Sequence, residues 1–499
     1  MRSSIGLALL LSILLPLQLH GQTDKPDLVL EGTVNGAQNK TYFEVPFDVP
    51  EKVHRISVDF SYTGRDQKTA LDLGIADPER FRGNSGGNKS HFTLSETDAT
   101  PSYLPGAISH GKWKLLISVP NIRATEHSTY RAEIRFNSKQ EEQGFALAPL
   151  ATDTRWYRGD LHMHTAHSDG SCASQSGKSV PCPLFVTAQT ATARDLDFIA
   201  ITDHNTDSHY DAMRELQPYF DHLLLIPGRE ITTFWGHFNI FGVTEYVDYR
   251  SGERDGLDVN GILRDVRSKG GIASVNHADS PGGEICMGCA WEPPTAVDMS
   301  LFTGIEVING GRILLSSADF WDKQLATGAR LTAIGGSDNH NAPSRAGGPG
   351  AIGWPTTVVE AAELSVPGIL DGIRHGRVFI DLTASHDKVV DIEAQARATH
   401  DNSNGEAWVR MGGTIKSTSG DLVDFRVHIH ACPRSTAHLF LDGSETTTLP
   451  PLAAKVGDET LPFQWKSDGK PHWLRAEVRD SNGSLMLVSN PIYIHSKTH

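Results

Sequence analysis

Five stretches of this 499-residue chain put histidines and carboxylates where apolar, strand-like runs end. His162 and His164 are one residue apart, and strand alternation sends both to one side while Met163 faces away. Asp169 follows in Ser168-Asp169-Gly170. The second run leads into Thr202-Asp203-His204-Asn205, and the third ends at Gly228-Arg229-Glu230 with Gly236-His237 shortly after. Asn276-His277 and Gly336-Ser337-Asp338-Asn339-His340 end two later runs. A lone strand-end histidine is ordinarily a hydrogen-bonded surface or core residue. Two His-x-His-like pairs with Glu230 and two further strand-end histidines are a different matter. Imidazole with carboxylate suits zinc, manganese or iron, and strand ends that recur in an α/β sheet converge on one face. A carboxylate-bridged pair of such ions brings the pKa of bound water toward neutrality, and the hydroxide attacks phosphorus or a carbonyl. No Gly-x-Ser-x-Gly elbow among these strand ends suggests a serine nucleophile instead.

Other residues around these strand ends are candidates for acid catalysis and substrate contact. Asp203 precedes a ligand and either orients it or caps the local turn. His167 and His209 are candidate acids in the mouth loops, with solvated loop histidines as the alternative. Arg229 and Arg312 offer rigid donor forks to a phosphate or carboxylate, or make ordinary salt bridges. Asn309 precedes Gly310-Gly311 and is placed to hydrogen-bond substrate. Trp235, Trp291 and Trp354 either wall a pocket or belong to the core.

The elements that must position these residues follow from periodicity. From Asp27 to about Phe136, short alternating runs such as Trp113-Lys114-Leu115-Leu116-Ile117-Ser118-Val119 predict antiparallel sheet and a β-sandwich. After Pro149 short strands alternate with helices near 184–194 and 259–269, which predicts a largely parallel α/β sheet, open or closed. After Ile380 alternation returns, as in Val423-Asp424-Phe425-Arg426-Val427-His428-Ile429, predicting a second sandwich.

From about Trp156 to Ile380 the chain resembles the polymerase and histidinol phosphatase (PHP) superfamily of metallohydrolases, and more narrowly its carbaryl-hydrolase-like branch. Gly159-Asp160-Leu161-His162-Met163-His164-Thr165 with Ser168-Asp169-Gly170 resembles the first family motif, Ile201-Thr202-Asp203-His204-Asn205 the second, and Gly336-Ser337-Asp338-Asn339-His340 the last. The resemblance implies an α/β fold: a distorted (β/α)7 barrel flanked by N-terminal and C-terminal β-sandwich domains. The expected segments are a signal peptide at 1–22, a sandwich at 23–150, the barrel at 151–382 and a second sandwich at 383–499. It also implies two to three divalent metals. His162, His164, Glu230 and Asp338 would hold one, with Glu230 bridging to a second held by His237 and His277. Asp169, His204 and His340 would hold a third. Asp169 stands where some relatives have histidine, and Ala278 follows His277 where many have proline.

Composition narrows the function. With 60 acidic and 45 basic side chains the net charge is -15, a poor match to nucleic acid or anionic membrane. Arg2, the apolar run Ile5 to Leu17 and the polar Gln18-Leu19-His20-Gly21 read as a secretory signal, so the chain is expected to be periplasmic or extracellular. Cys172 and Cys182 share one polar loop and Cys286 and Cys289 another, where export permits bridges within or between them. The expectation is an exported metal-dependent phosphoesterase acting on a small molecule. A carboxylic or carbamate ester hydrolase is the alternative, and a non-catalytic binding protein the lesser one. The sequence leaves oligomeric state open.

Overall fold

The computed structural model describes residues 25–96, 98–137, 148–252, 257–397, 407–446 and 448–497. The expected signal peptide lies outside them. The chain divides into two compact units: Met1–Thr93 with Ile108–Lys139, and Leu94–Ala107 with Gln140–His499. The architecture is mixed α/β, rich in sheet and poor in helix. No helix among the described residues is long and apolar enough to cross a membrane.

The first unit is built on two four-stranded antiparallel sheets. The strand Gly111–Asn121 shows why: Trp113, Leu115, Ile117 and Val119 alternate inward and are buried, while Lys112 and Lys114 point outward.

In the second unit nine strands carry the site-bearing sheet: β1 (Arg155–Asp160), β2 (Phe198–Ile201), β3 (Leu224–Thr233), β4 (Gly236–Phe241), β5 (Ile272–Val275), β6 (Gly304–Asn309), β7 (Thr332–Gly336), β8 (Thr356–Ala361) and β9 (Val378–Asp381). β1, β2 and β3 are parallel neighbours, as are β5, β6 and β7. β4 runs antiparallel between β3 and β5, and β8 antiparallel beside β1. The sheet closes on itself. Between β7 and β8, Gly335 N donates to Thr357 Oγ1 and that hydroxyl donates to Gly335 O.

This differs from a regular alternation of strand and helix. The described residues hold five α-helices, of seven to ten residues: α1 (Leu184–Thr192), α2 (Tyr210–Leu216), α3 (Val259–Ser268), α4 (Ala318–Ala326) and α5 (Val366–Arg374). Only Phe234 and Trp235 join β3 to β4, too few for the crossover that parallel strands need. The helices that form are well specified. Asp258 caps α3 through Gly261 N at 2.8 Å, and Val259, Ile262, Leu263 and Val266 bury one face.

β1, β2, β3 and β5 to β7 all point one way, so their carboxyl ends and the start of β4 share one end of the sheet. At the other side, β9 pairs with Leu485–Ser489 from the C-terminal region. That region adds a four-stranded sheet whose central strands are Val389–Arg397 and Leu422–His430. Its remaining strands continue the barrel sheet.

Candidate metal centre

The nine histidines and carboxylates proposed as ligands from sequence come together at the carboxyl end of the strands. His162 and His164 lie just beyond β1, and Met163 between them is fully buried in the apolar core. Glu230 is in β3, where alternation turns it opposite to Arg229. His237 opens β4, and the two-residue turn brings it back beside Glu230.

Glu230 is the hub. Its Oε1 lies 3.2 Å from His237 Nδ1 and 3.3 Å from His277 Nε2. Its Oε2 lies 3.4, 3.5 and 3.0 Å from His162 Nε2, His164 Nε2 and His204 Nδ1. Asp338 Oδ1 is 3.3 Å from His164 Nε2 and 3.5 Å from His162 Nε2. Nearer solvent, Asp169 faces His340 Nε2 at 3.4 Å and His204 Nε2 at 3.7 Å. Four groups have ligand atoms close enough to hold an ion: His162-His164-Glu230, His162-His277-Asp338, Glu230-His237-His277 and His164-Asp169-His204-His340. The Glu230 groups are buried and the Asp169 group opens to the mouth.

A metal fits this arrangement better than a hydrogen-bonded core does. His162 Nε2, His164 Nδ1 and Nε2, His237 Nε2 and His277 Nδ1 are buried with no hydrogen-bond partner. Each such orphan costs about 1–3 kcal/mol. Five together rival a typical total stability of about 5–15 kcal/mol. Metal ligation through His162 Nε2 and His164 Nε2 would remove part of that cost. The electrostatics show how strongly the imidazoles and carboxylates act on one another: burial lowers the pKa of His162, His204, His277 and His340, and their carboxylate neighbours override it and raise them. Burial would raise the pKa of Glu230, yet His162, His204 and His237 hold it well below the usual carboxylate value. Burial likewise opposes ionisation of Asp338, and His162 and His164 override it. His164, flanked by other imidazoles, is pushed down to about 4, chiefly by burial. That leaves it neutral and ready to ligate. His277 and Asp338 have φ of 28° and 49°, left-handed backbone in non-glycine residues, held by the surrounding bonds.

Several positioning residues were not singled out from sequence. Glu306 Oε1 accepts from His162 Nδ1 at 3.0 Å, which directs Nε2 toward Glu230 and Asp338. Its Oε2 accepts from His277 N at 3.2 Å and Asn309 Nδ2 at 3.1 Å. The available signal was a lone carboxylate inside the apolar run Ile305-Glu306-Val307-Ile308, which must find a partner when buried. Gly336 makes room for it, since a Cβ there would collide with Glu306 Oε1 and His162 Cβ. Asn276 donates to Glu230 Oε1 at 2.9 Å, and Thr232 Oγ1 lies 2.6 Å from His204 Nδ1. Asp160 accepts from the backbone N–H groups of His162, Ser337 and Gly353, tying the first ligand loop to the last.

The remaining candidates are placed as follows. Asp203 is buried and accepts from Thr165 N, Thr165 Oγ1 and Ser168 Oγ, bracing the loop between His164 and Asp169. His209 is fully buried, donates from Nε2 to Gly228 O, and is held at about 4 by burial. His167 is half-buried at the mouth with Nδ1 2.9 Å from Ser208 Oγ. Arg229 is buried, donating to the carbonyls of Val243 and Glu245. Asn309 Nδ2 also reaches Asp338 Oδ2 at 3.3 Å, and Arg312 is exposed. Trp291 packs with Phe238 and Phe302, Trp354 donates to Leu382 O, and Trp235 is partly exposed. Cys172 bonds to Cys182, and Cys286 to Cys289.

No family model and no curated protein matches the chain. Among solved structures it is similar to a two-domain protein of Bacteroides vulgatus named for a predicted PHP-like metal-dependent phosphoesterase. The identity is 18%, the match covers 70% of this chain and 99% of that one, and the TM-score is 0.38. A CARDB domain from Pyrococcus furiosus is similar at 9% identity over 21% of this chain and 95% of that one, with a TM-score of 0.14. Likenesses this loose carry no argument about activity. What the chain itself carries is a buried His/Asp/Glu cluster compatible with a metal site.

Proposed function

We propose that this chain is an exported metal-dependent hydrolase of the PHP type that cleaves a phosphate ester of a small molecule. The observation that supports it is that His162 Nε2 and His164 Nε2, buried with no hydrogen-bond partner, lie beside the carboxylates of both Glu230 and Asp338, with His237 and His277 on the other oxygen of Glu230. His162, His164, Glu230 and Asp338 would hold one ion, Glu230, His237 and His277 a second, and Asp169, His204 and His340 a third. Divalent ions there supply positive charge that lowers the pKa of water and offsets charge gained by the ester oxygens. Glu306 keeps His162 oriented and Asn309 keeps Asp338 oriented, so two of the ligands are held before substrate arrives. Asp169 and His340, the more exposed members, face the side from which substrate and solvent enter. In the net reaction the water oxygen joins phosphorus, the P–O bond to the alcohol breaks, and a water proton ends on the departing oxygen. The Cys172–Cys182 and Cys286–Cys289 bonds support an oxidising compartment.

The test is to purify the full chain without chelator, measure its metal content, and assay an aryl phosphomonoester, a phosphodiester and a carboxylic ester. About two to three ions per chain and phosphoesterase activity that disappears in Glu230→Ala are the expected result. Turnover of the carboxylic ester alone would replace phosphate with the carboxylic or carbamate reading. A folded protein that takes up no divalent metal would overturn the proposal.

A further inference from the structure

Twelve large apolar side chains stand exposed among the described residues, and half of them lie on three connections. Phe234 (85% exposed) and Trp235 form the β3–β4 turn between Glu230 and His237. Ile285 (81%) and Met287 (83%) are on the loop that follows His277. Ile313 (68%) and Leu314 follow Asn309 at the end of β6. The second connection touches both of the others. Gly288 packs so closely against the first that an added Cβ would sit 3.4 Å from both Phe234 Cα and His237 Nε2. The backbone of Asp279 donates to Ser317 Oγ at 3.3 Å, tying the second connection to the third. At Gly311 an added Cβ would lie 3.4 Å from Asp338 Oδ2, so the third connection also borders the centre. Around Asp169 and His340 the residues are of another kind: His167 bonds Ser208, and Ser168 bonds Asp203.

The mouth is therefore two-faced, apolar beside His237 and His277 and polar beside Asp169 and His340. Exposed apolar side chains of this size, contiguous and rimmed by polar residues, mark a binding surface. Because every connection that carries them also adjoins a proposed ligand, we infer that they hold the apolar portion of the substrate. The substrate class is an ester with one alkyl or aryl substituent of several carbons, its polar head at the Glu230–Asp338 centre and its apolar arm along Phe234, Met287 and Ile313. This rests on the hydrolase reading and adds to it the identity of the second substituent.

The experiment uses the full chain loaded with metal. Calorimetry would compare binding of methylphosphonate with hexylphosphonate, and acetate with hexanoate. Hydrolysis of methyl and hexyl 4-nitrophenyl phosphate, which share a leaving group, would be measured alongside. Burying a methylene is worth about fourfold in affinity, so an arm partly covered by the rim should gain at least about tenfold from methyl to hexyl. The gain should shrink in Phe234→Ser and Met287→Ser, both exposed positions. Equal or weaker binding of both hexyl ligands in the parent would overturn the inference. So would a gain that neither variant reduces. Because binding is read without turnover, a hexyl preference in a protein that hydrolyses nothing would sustain the rim and overturn the hydrolase reading instead.

Discussion

The second unit uses histidine and carboxylate in two ways, and the contrast shows what makes a metal centre. In the C-terminal sheets His428 and His438 are satisfied on both nitrogens. His428 pairs with Glu393 at 3.0 Å and Thr460 at 2.9 Å, and His438 with Glu445 at 2.7 Å and Thr436 at 2.9 Å. At the barrel mouth several imidazoles converge on the same two carboxylates, Glu230 and Asp338, and buried nitrogens are left over. Histidine–carboxylate proximity is common to both regions. What separates them is convergence with unmet lone pairs, which ordinary folding would not leave uncompensated.

The largest effect should come from asking both regions to lose one carboxylate. Glu230→Gln should cut metal content and hydrolysis by at least about a hundredfold, more than the 10–100-fold typical of a group that only supports a ligand. Glu445→Gln should change neither, and it should lower stability by less than about 1 kcal/mol, as expected for a partly exposed pair. Metal analysis, steady-state rates and thermal melts of the two variants check this. Equal metal content in both would erase the distinction drawn above.

Glu306→Gln asks the same question one layer out. The amide still fills the space beside Gly336 but no longer offers a carboxylate to His162 Nδ1. Metal affinity, read by chelator competition, should fall about 10–100-fold with the fold retained. An unchanged affinity would make Glu306 a packing residue only.

Most of the ligands were legible in the sequence because they stand where an apolar run ends, and a polar residue at such a point has no packing reason to be there; Asp169 and His237 stand off those ends and came with the resemblance. Glu306 was not singled out because it interrupts a run rather than ending it, and strand alternation alone would send it outward as readily as inward. Strand direction was equally hidden. Periodicity marks β4 and β8 as strands without saying that they run backwards, and only the shortness of the Phe234–Trp235 turn constrains the first. The alternating runs after Ile380 announced sheet, but pairing Val378–Asp381 with Leu485–Ser489 joins residues over a hundred positions apart, which no local pattern encodes.

That pairing bears on how independent the two regions are. Asn490 accepts from Ala333 N at 2.7 Å and donates to the carbonyls of Ala333 and Val378 at 2.9 and 2.8 Å. One buried side chain thus fastens β7 and β9 to the C-terminal strands. Asn490→Ala would remove all three of these bonds, leaving Val378 O only the backbone N–H of residue 490, and should cost about 2–4 kcal/mol. Calorimetry should show the transition that contains the metal centre moving together with the C-terminal sheets. Two separate transitions, with only one shifted by the substitution, would show that the contrasted regions fold independently.

The smallest expected effect has the most informative sign. His472 Nδ1 lies 2.5 Å from Asp442 and Nε2 2.9 Å from Asp468. Burial alone would lower its pKa, but hydrogen bonds to Asp442 and Asp468 overcome that and raise it above the ordinary value. A raised folded-state pKa contributes stability fully below the unfolded value of about 6.5. That contribution is lost as pH rises through the folded value. His472→Gln should therefore cost most in mildly acidic buffer and nothing in alkaline buffer, with solvent screening keeping the difference under about 1 kcal/mol. The metal centre should show the reverse sign, because protons compete with metal for imidazole and acidification removes the stabilisation that binding supplies. Melting the parent and His472→Gln from acid to alkali, with and without chelator, separates the two contributions. A chelator-sensitive stability that grows on acidification would mean that the barrel histidines behave like His472, as paired cations and not as ligands.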